Sequence, residues 1–164
     1  MTIGWQRTKY TLRNAGLRVP VFALLSVPAS VSAADNLSGG AQQMRAWCGS
    51  QDESTFFFDD PRTKRDYRAW VRHVVQRVNP LTGLAYRDDP TIMAWELMNE
   101  GNAQPEALRS AWTGEMSAYV KSLDSNHLVS SGNANILDPK LADLTIPTLD
   151  FGTWHGYPLF TVDA

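Results

Sequence analysis

The chain has one cysteine, Cys48, so no disulfide can form within it. It has no excess of either charge. Fifteen basic and seventeen acidic residues leave a net charge of −2, which excludes the basic footprint of a nucleic-acid binder. No apolar run reaches the roughly 18 residues of a membrane-spanning helix, so no membrane span is expected. The three histidines are scattered, and no spacing suits a zinc site or a calcium loop. No glycine-rich phosphate loop and no G-x-S-x-G elbow occur. These absences leave neither a metal nor a cofactor to expect. Internal repeats and low-complexity tracts are missing too.

What is present suits a soluble domain with a real core: 164 residues of ordinary apolar and charged content. Six Trp and five Tyr stand out. Most aromatic residues in such a chain are core, but flat rings also bury the C–H faces of sugars.

Residues 1–36 allow two readings. Residues 1–18 carry Arg7, Lys9, Arg13 and Arg18 and no acid, and VPVFALLSV and PASVSAAD follow. That resembles a secretory signal peptide cut near Ala33 or Ala34. The alternative is a helix end, a turn at Asn14-Ala15-Gly16, and a buried strand over 17–26. Residues 27–58 read as loop, with a turn at Gly39-Gly40 and a short helix over Gln42 to Trp47.

Asp60-Pro61 opens a clear helix, since Asp caps and Pro suits the first helical position. Tyr67, Trp70, Val71, Val74, Val75 and Val78 recur at helical spacing, and Asn79-Pro80 should end the helix. TIMAWELM, 91–98, is nearly all apolar and suits a strand buried on both faces. A second helix starts at Pro105, with Leu108, Trp112, Met116, Tyr119, Val120 and Leu123 on one side. Asp124-Ser125-Asn126 turns into a strand over 127–131. A short helix over 138–144 and a strand over 149–154 complete the order. Alternation of this kind predicts a parallel α/β sheet.

Polar groups gather at two strand ends. In Trp95-Glu96-Leu97-Met98-Asn99-Glu100, strict alternation would turn Glu96, Met98 and Glu100 to one side. A Glu within an apolar strand is costly unless paired or functional. Glu96 reads as a structural buried carboxylate. Glu100 reads equally well as an exposed loop carboxylate or as a site residue, because the C-terminal strand edge is where parallel α/β proteins build sites. Trp154-His155-Gly156-Tyr157 ends the last strand in a similar way. His and Tyr two apart could face one cavity.

RVNPLTGLAYRDDPTIMAWELMNE resembles the segment of glycoside hydrolase family 5 that runs into the fourth barrel strand, and is most similar to the endo-β-1,4-mannanases. GGAQQMRAW, 39–47, is similar to the loop after strand three. WTGEMSAYVKSLDSNHLVSSG is similar to helix four and strand five, and LDFGTWHGYPLF to strand six. The resemblance covers roughly residues 37–160 and implies a partial (β/α)8 TIM barrel, about strands three to six. Residues 37–164 would be part of a catalytic domain. Residues 1–36 would be either strand three with its preceding helix end or the signal-like segment.

The resemblance implies a retaining glycosidase acting on internal β-1,4 bonds of a mannan-type polysaccharide, without a cofactor. Glu100 would be the acid/base, and Asn99 would hold the sugar 2-hydroxyl. His155 and Tyr157 would line the site, with Trp47 and Trp154 as sugar platforms; Trp70 fits the buried helix stripe better. Retention needs two carboxylates about 5–5.5 Å apart, and an oxocarbenium-like transition state rewards a contact at the 2-hydroxyl. The acid must keep its proton near neutral pH.

Two departures stand out. Gly101 replaces the proline of the family's Asn-Glu-Pro. The family's nucleophile, a Glu ending strand seven, and the first two strands have no counterpart here. Such a barrel needs about 250 residues. The expectation is a fragment that has no mannanase activity alone and belongs to a secreted, monomeric enzyme at full length. Rival readings are a β-glucanase or cellulase of the same family, and a non-catalytic remnant.

Overall fold

The computed structural model describes residues 21–24, 56–101, 106–133, 142–153 and 155. Three parallel strands form one sheet in the order β1 (Val21–Leu24), β2 (Ile92–Glu96), β3 (Leu128–Ser130). On β2, Trp95 pairs with Ala23 on one side and Val129 on the other, and Glu96 with Leu24 and Ser130. A short helix, α1 (Phe56–Asp59), and the longer α2 (Pro61–Val75) lie between β1 and β2; α3 (Glu106–Leu123) lies between β2 and β3. The expected strand over 17–26 thus forms at its centre. The readings for Gly39-Gly40, for a helix over 42–47 and for the remainder of residues 1–36 fall outside the described residues.

Helix α2 begins where its capping signal predicts. The Asp60 carboxylate accepts the Arg62 backbone N–H at 2.7 Å, and Pro61 sits in the first turn. It ends earlier than Pro80 alone would require, with Gln76 as its C-cap. Val78 is committed to an antiparallel bridge with Ala85, and Asn79 N–H donates to Leu84 C=O at 2.8 Å. A tight turn therefore takes the residues that would have extended the helix, and Val78 is exposed.

The core lies between the two long helices and β2. Tyr67, Val71, Val74 and Val75 of α2 meet Trp112, Met116 and Val120 of α3, together with Trp95, Leu97, Met98 and Val129. Trp70 packs only partly against this cluster and stacks on His73. The α3 pattern hides a second buried row. Arg109, Thr113 and Ser117, each four residues apart, are buried as well. They are polar because they face a polar segment: Arg109 pairs with Asp143, and the Ser117 and Thr148 hydroxyls are bonded.

The expected strand over 149–154 does not form over 149–153, the part of it that is described. The stretch runs beside β3, where Asp150 N–H donates to Val129 C=O at 2.9 Å. The Asp150 carboxylate, in turn, takes the Val129 N–H at 2.6 Å. A side chain thus satisfies the β3 edge where a ladder would need backbone. The short helix expected over 138–144 is described only from 142, as a 3-10 turn over Ala142–Thr145.

Candidate active site

Alternation along β2 stops at Glu96. Leu97 and Met98 are both buried in the helix-facing core, so Met98 does not share a face with Glu96 as strict alternation would require. The chain bends after the strand, yet it remains fastened on both sides. The buried Tyr67 hydroxyl donates to Leu97 C=O at 2.6 Å, and burial pushes that phenol's pKa up. From the other side, Leu97 N–H reaches Ser130 C=O at 3.0 Å, Met98 N–H reaches Ser131 C=O at 3.2 Å, and Glu100 N–H reaches Gly132 C=O at 2.9 Å. Pairing with the β3 side thus continues for four residues beyond the strand.

Glu100 is held with φ +51°, a left-handed conformation that costs a non-glycine residue roughly 1–2 kcal/mol. Its carboxylate is 29% exposed and lies 2.7 Å from His155 Nδ1, which belongs to a ring 22% exposed. An imidazole and a carboxyl at that distance can exchange a proton. The two residues are 55 apart in sequence, and the strand ends bring them together. Asn99, beside Glu100, is exposed at the same edge. Gly101 is buried, and a Cβ there would lie 2.5 Å from Met98 Sδ, so the residue in the proline's place is packed beneath the core edge.

Glu96 contributes a second carboxyl to this end of the sheet. Burial pushes its pKa up, and the charge of His155 pulls it back in part. The imidazole therefore acts on both carboxyls that β2 and its extension supply. Sequence reading treated Glu96 as structural, and nothing in the run WELMNE signals that one histidine 55 to 59 residues on serves both.

The loop after β3 is the hidden support. Asn133 C=O accepts the Thr153 hydroxyl at 2.6 Å, two residues before His155. The Asn133 side-chain amide reaches Asp143, which Arg109 grips through both carboxylate oxygens at 2.8 and 3.0 Å. Arg109, Asp143 and Asn133 are all buried. None of them was predicted as part of the site. The i, i+4 spacing of Arg109 with Thr113 and Ser117 puts them on one helix face, but that spacing alone looks like a solvated face. Of the predicted site residues, Glu100, Asn99 and His155 meet at one edge, while Trp47, Trp154 and Tyr157 fall outside the described residues.

Comparisons with known proteins cover most of the chain. A family model described as GH family 5 beta-mannosidase-like matches residues 23–149. Mannan endo-1,4-beta-mannosidase 1 of Oryza sativa subsp. japonica is 37% identical over 149 residues, covering 73% of this chain and 34% of that protein. Mannan endo-1,4-beta-mannosidase 7 of Arabidopsis thaliana is also 37% identical, over 144 residues, covering 73% and 33%. Among solved structures, the endo-1,4-beta-D-mannanase of Thermotoga petrophila RKU-1 superposes with a TM-score of 0.72 at 33% identity, over 86% of this chain and 44% of that one. The endo-1,4-beta-mannanase of Rhizomucor miehei gives 0.72 at 29%, over 84% and 44%. The chain spans about a third of the length of the curated relatives it matches. The parallel strands with intervening helices are part of a (β/α)8 barrel, and the chain belongs to the mannosidase-like branch of glycoside hydrolase family 5.

Proposed function

We propose that this chain supplies the acid/base half of a retaining endo-β-1,4-mannanase, with Glu100 as the acid/base. The observation that carries the reading is the 2.7 Å contact between Glu100 and His155 at the C-terminal edge of a parallel sheet. Barrel enzymes place their chemistry at that edge. The curated relatives are named for cleavage of 1,4-β bonds in mannan, which supports a mannan-type substrate.

In the first step Glu100 protonates the leaving glycosidic oxygen, while a second carboxylate attacks the anomeric carbon from the opposite face. In the second step Glu100 takes a proton from water, which displaces that carboxylate. His155, 2.7 Å from Oε1, holds the carboxyl in one orientation through both steps. Asn99, exposed beside Glu100, is placed to meet the sugar 2-hydroxyl. Tyr157, Trp47 and Trp154 complete the proposed binding residues. The proposal extends to secretion and to a monomeric full-length enzyme. Among the described residues no helix is long and apolar enough to cross a membrane.

The test is kinetic. In a complete barrel carrying this segment, Glu100→Gln should lower kcat on β-mannan by about 10²–10⁴-fold with little change in KM. An unchanged kcat would remove Glu100 from the mechanism. Faster turnover of cellulose than of mannan by the unmutated barrel would replace mannanase by β-glucanase.

A further inference from the structure

We infer that Gly132 is a positioning residue for the Glu100–His155 pair, a role that rests on the acid/base reading of Glu100. Gly132 lies two residues past the end of β3 and against the bend that leads to Glu100. A Cβ built on it would stand 1.8 Å from the Met98 carbonyl oxygen and 2.9 Å from the Met98 carbonyl carbon. Both atoms are backbone, so no rotamer change relieves the collision. Its φ of +74° independently disfavours any L side chain.

The close approach has a specific result. It lets Gly132 C=O reach Glu100 N–H at 2.9 Å, and that bond holds Glu100 in its left-handed conformation. The next carbonyl along, that of Asn133, takes the Thr153 hydroxyl and so fixes the approach to His155. Consecutive carbonyls of one loop therefore hold the two halves of the pair. Around them, Gly132 N–H and Asn133 N–H donate to the Ser130 and Ser131 hydroxyls, both at 3.2 Å. A side chain at 132 would push the loop away from Met98 and separate the carboxylate from the imidazole.

Gly101 provides the contrast. A Cβ there meets Met98 Sδ, the far end of a flexible side chain, at 2.5 Å. Gly101→Ala should therefore be rescued by Met98→Ala, whereas Gly132→Ala should not.

The experiment follows His155 by nitrogen-15 NMR of its ring in the 164-residue chain as pH is varied. The Trp95 indole N–H, bonded to Asp124 at the opposite end of the sheet, reports the fold. In the unmutated chain the His155 shift should show a pH-dependent step that Glu100→Gln removes. Gly132→Ala, alone or with Met98→Ala, should keep the Trp95 signal and lose that step. Gly101→Ala/Met98→Ala should keep both. A folded Gly132→Ala chain with the step intact would overturn the proposal.

Should Gly132→Ala unfold the chain, amide exchange in the unmutated chain decides. Glu100 N–H should exchange on the order of 100-fold or more slower than in a free peptide. Exchange at the free-peptide rate would overturn the proposal. Neither readout depends on mannan cleavage, so a failure of the acid/base reading would show only in kcat.

Discussion

At the β3 entry, Asp124 collects four donors. Its Oδ2 takes the Trp95 indole at 2.7 Å and pairs with His127 Nδ1 at 2.6 Å, while Oδ1 takes the Asn126 and His127 backbone N–H groups at 2.8 and 3.2 Å. His127 Nε2 meets Asp89 C=O at 3.0 Å. At the other end of the same strands, Glu100 sits in a left-handed conformation, partly open to solvent, against a histidine whose charge also acts on a half-buried Glu96. Both ends use a carboxylate and an imidazole. One is closed, saturated and unstrained. The other is accessible and strained, and asks one imidazole to serve two carboxyls. Buried polar groups that are fully satisfied specify structure; strain that persists at a strand end marks function. The contrast matches the division of labour between the two faces of a barrel.

The largest effect expected from breaking this contrast lies at the closed end. Asp124→Ala would strand the Trp95 indole and the His127 ring in a buried place, and should cost about 3 kcal/mol or more in denaturant unfolding. At the open end the sign reverses. Glu100→Gly removes the left-handed penalty and should raise stability by roughly 0.5–1 kcal/mol while removing the proposed acid/base. A loss of stability comparable to Asp124→Ala would show that Glu100 is structural.

The smallest effect is in the pH dependence, where the two ends again oppose each other. Burial pushes the Asp124 pKa up, but bonds from Trp95, His127 and Asn126 outweigh it and hold the carboxyl below its ordinary value. A depressed carboxylate contributes stability that is present above its unfolded pKa and lost as pH falls through the folded one. Glu96 is raised by burial, so its native form binds more protons, and its contribution worsens as pH rises above about 4.5. Glu96→Gln should therefore stabilise the chain near neutral pH and lose that advantage in acid. Urea midpoints at both pH values check this. An advantage that grows in acid would contradict it.

Much of this contrast could be read from sequence, but unevenly. Asp60-Pro61 announced the α2 start because a cap and a proline act locally. The apolar run before Glu100 announced a strand because so few of its positions are polar, and Ala94 and Trp95 at its centre are buried. The Glu100–His155 pair was legible only as two separate strand-end signals, since a contact across 55 residues is set by tertiary packing. The row of Arg109, Thr113 and Ser117 escaped because polar residues at helical spacing look like a solvated face until their partners are known. Gly132 escaped for a related reason. Its value lies in the missing Cβ, and only the position of the Met98 carbonyl reveals it. The strand expected over 149–154 does not form over its described part, 149–153, because Asp150 uses its side chain where a ladder would use backbone.

The most direct test of the open end as a catalytic one is chemical rescue in a complete barrel carrying this segment. Glu100→Ala, given an aryl β-manno-oligoside with a good leaving group, should stall at the glycosyl-enzyme and be restored by azide. Azide needs no general base, and it displaces the α-linked carboxylate with a second inversion, so the product should be the β-configured glycosyl azide. Undiminished turnover by Glu100→Ala without azide, or an azide product of α configuration, would rule out Glu100 as the acid/base of a retaining enzyme.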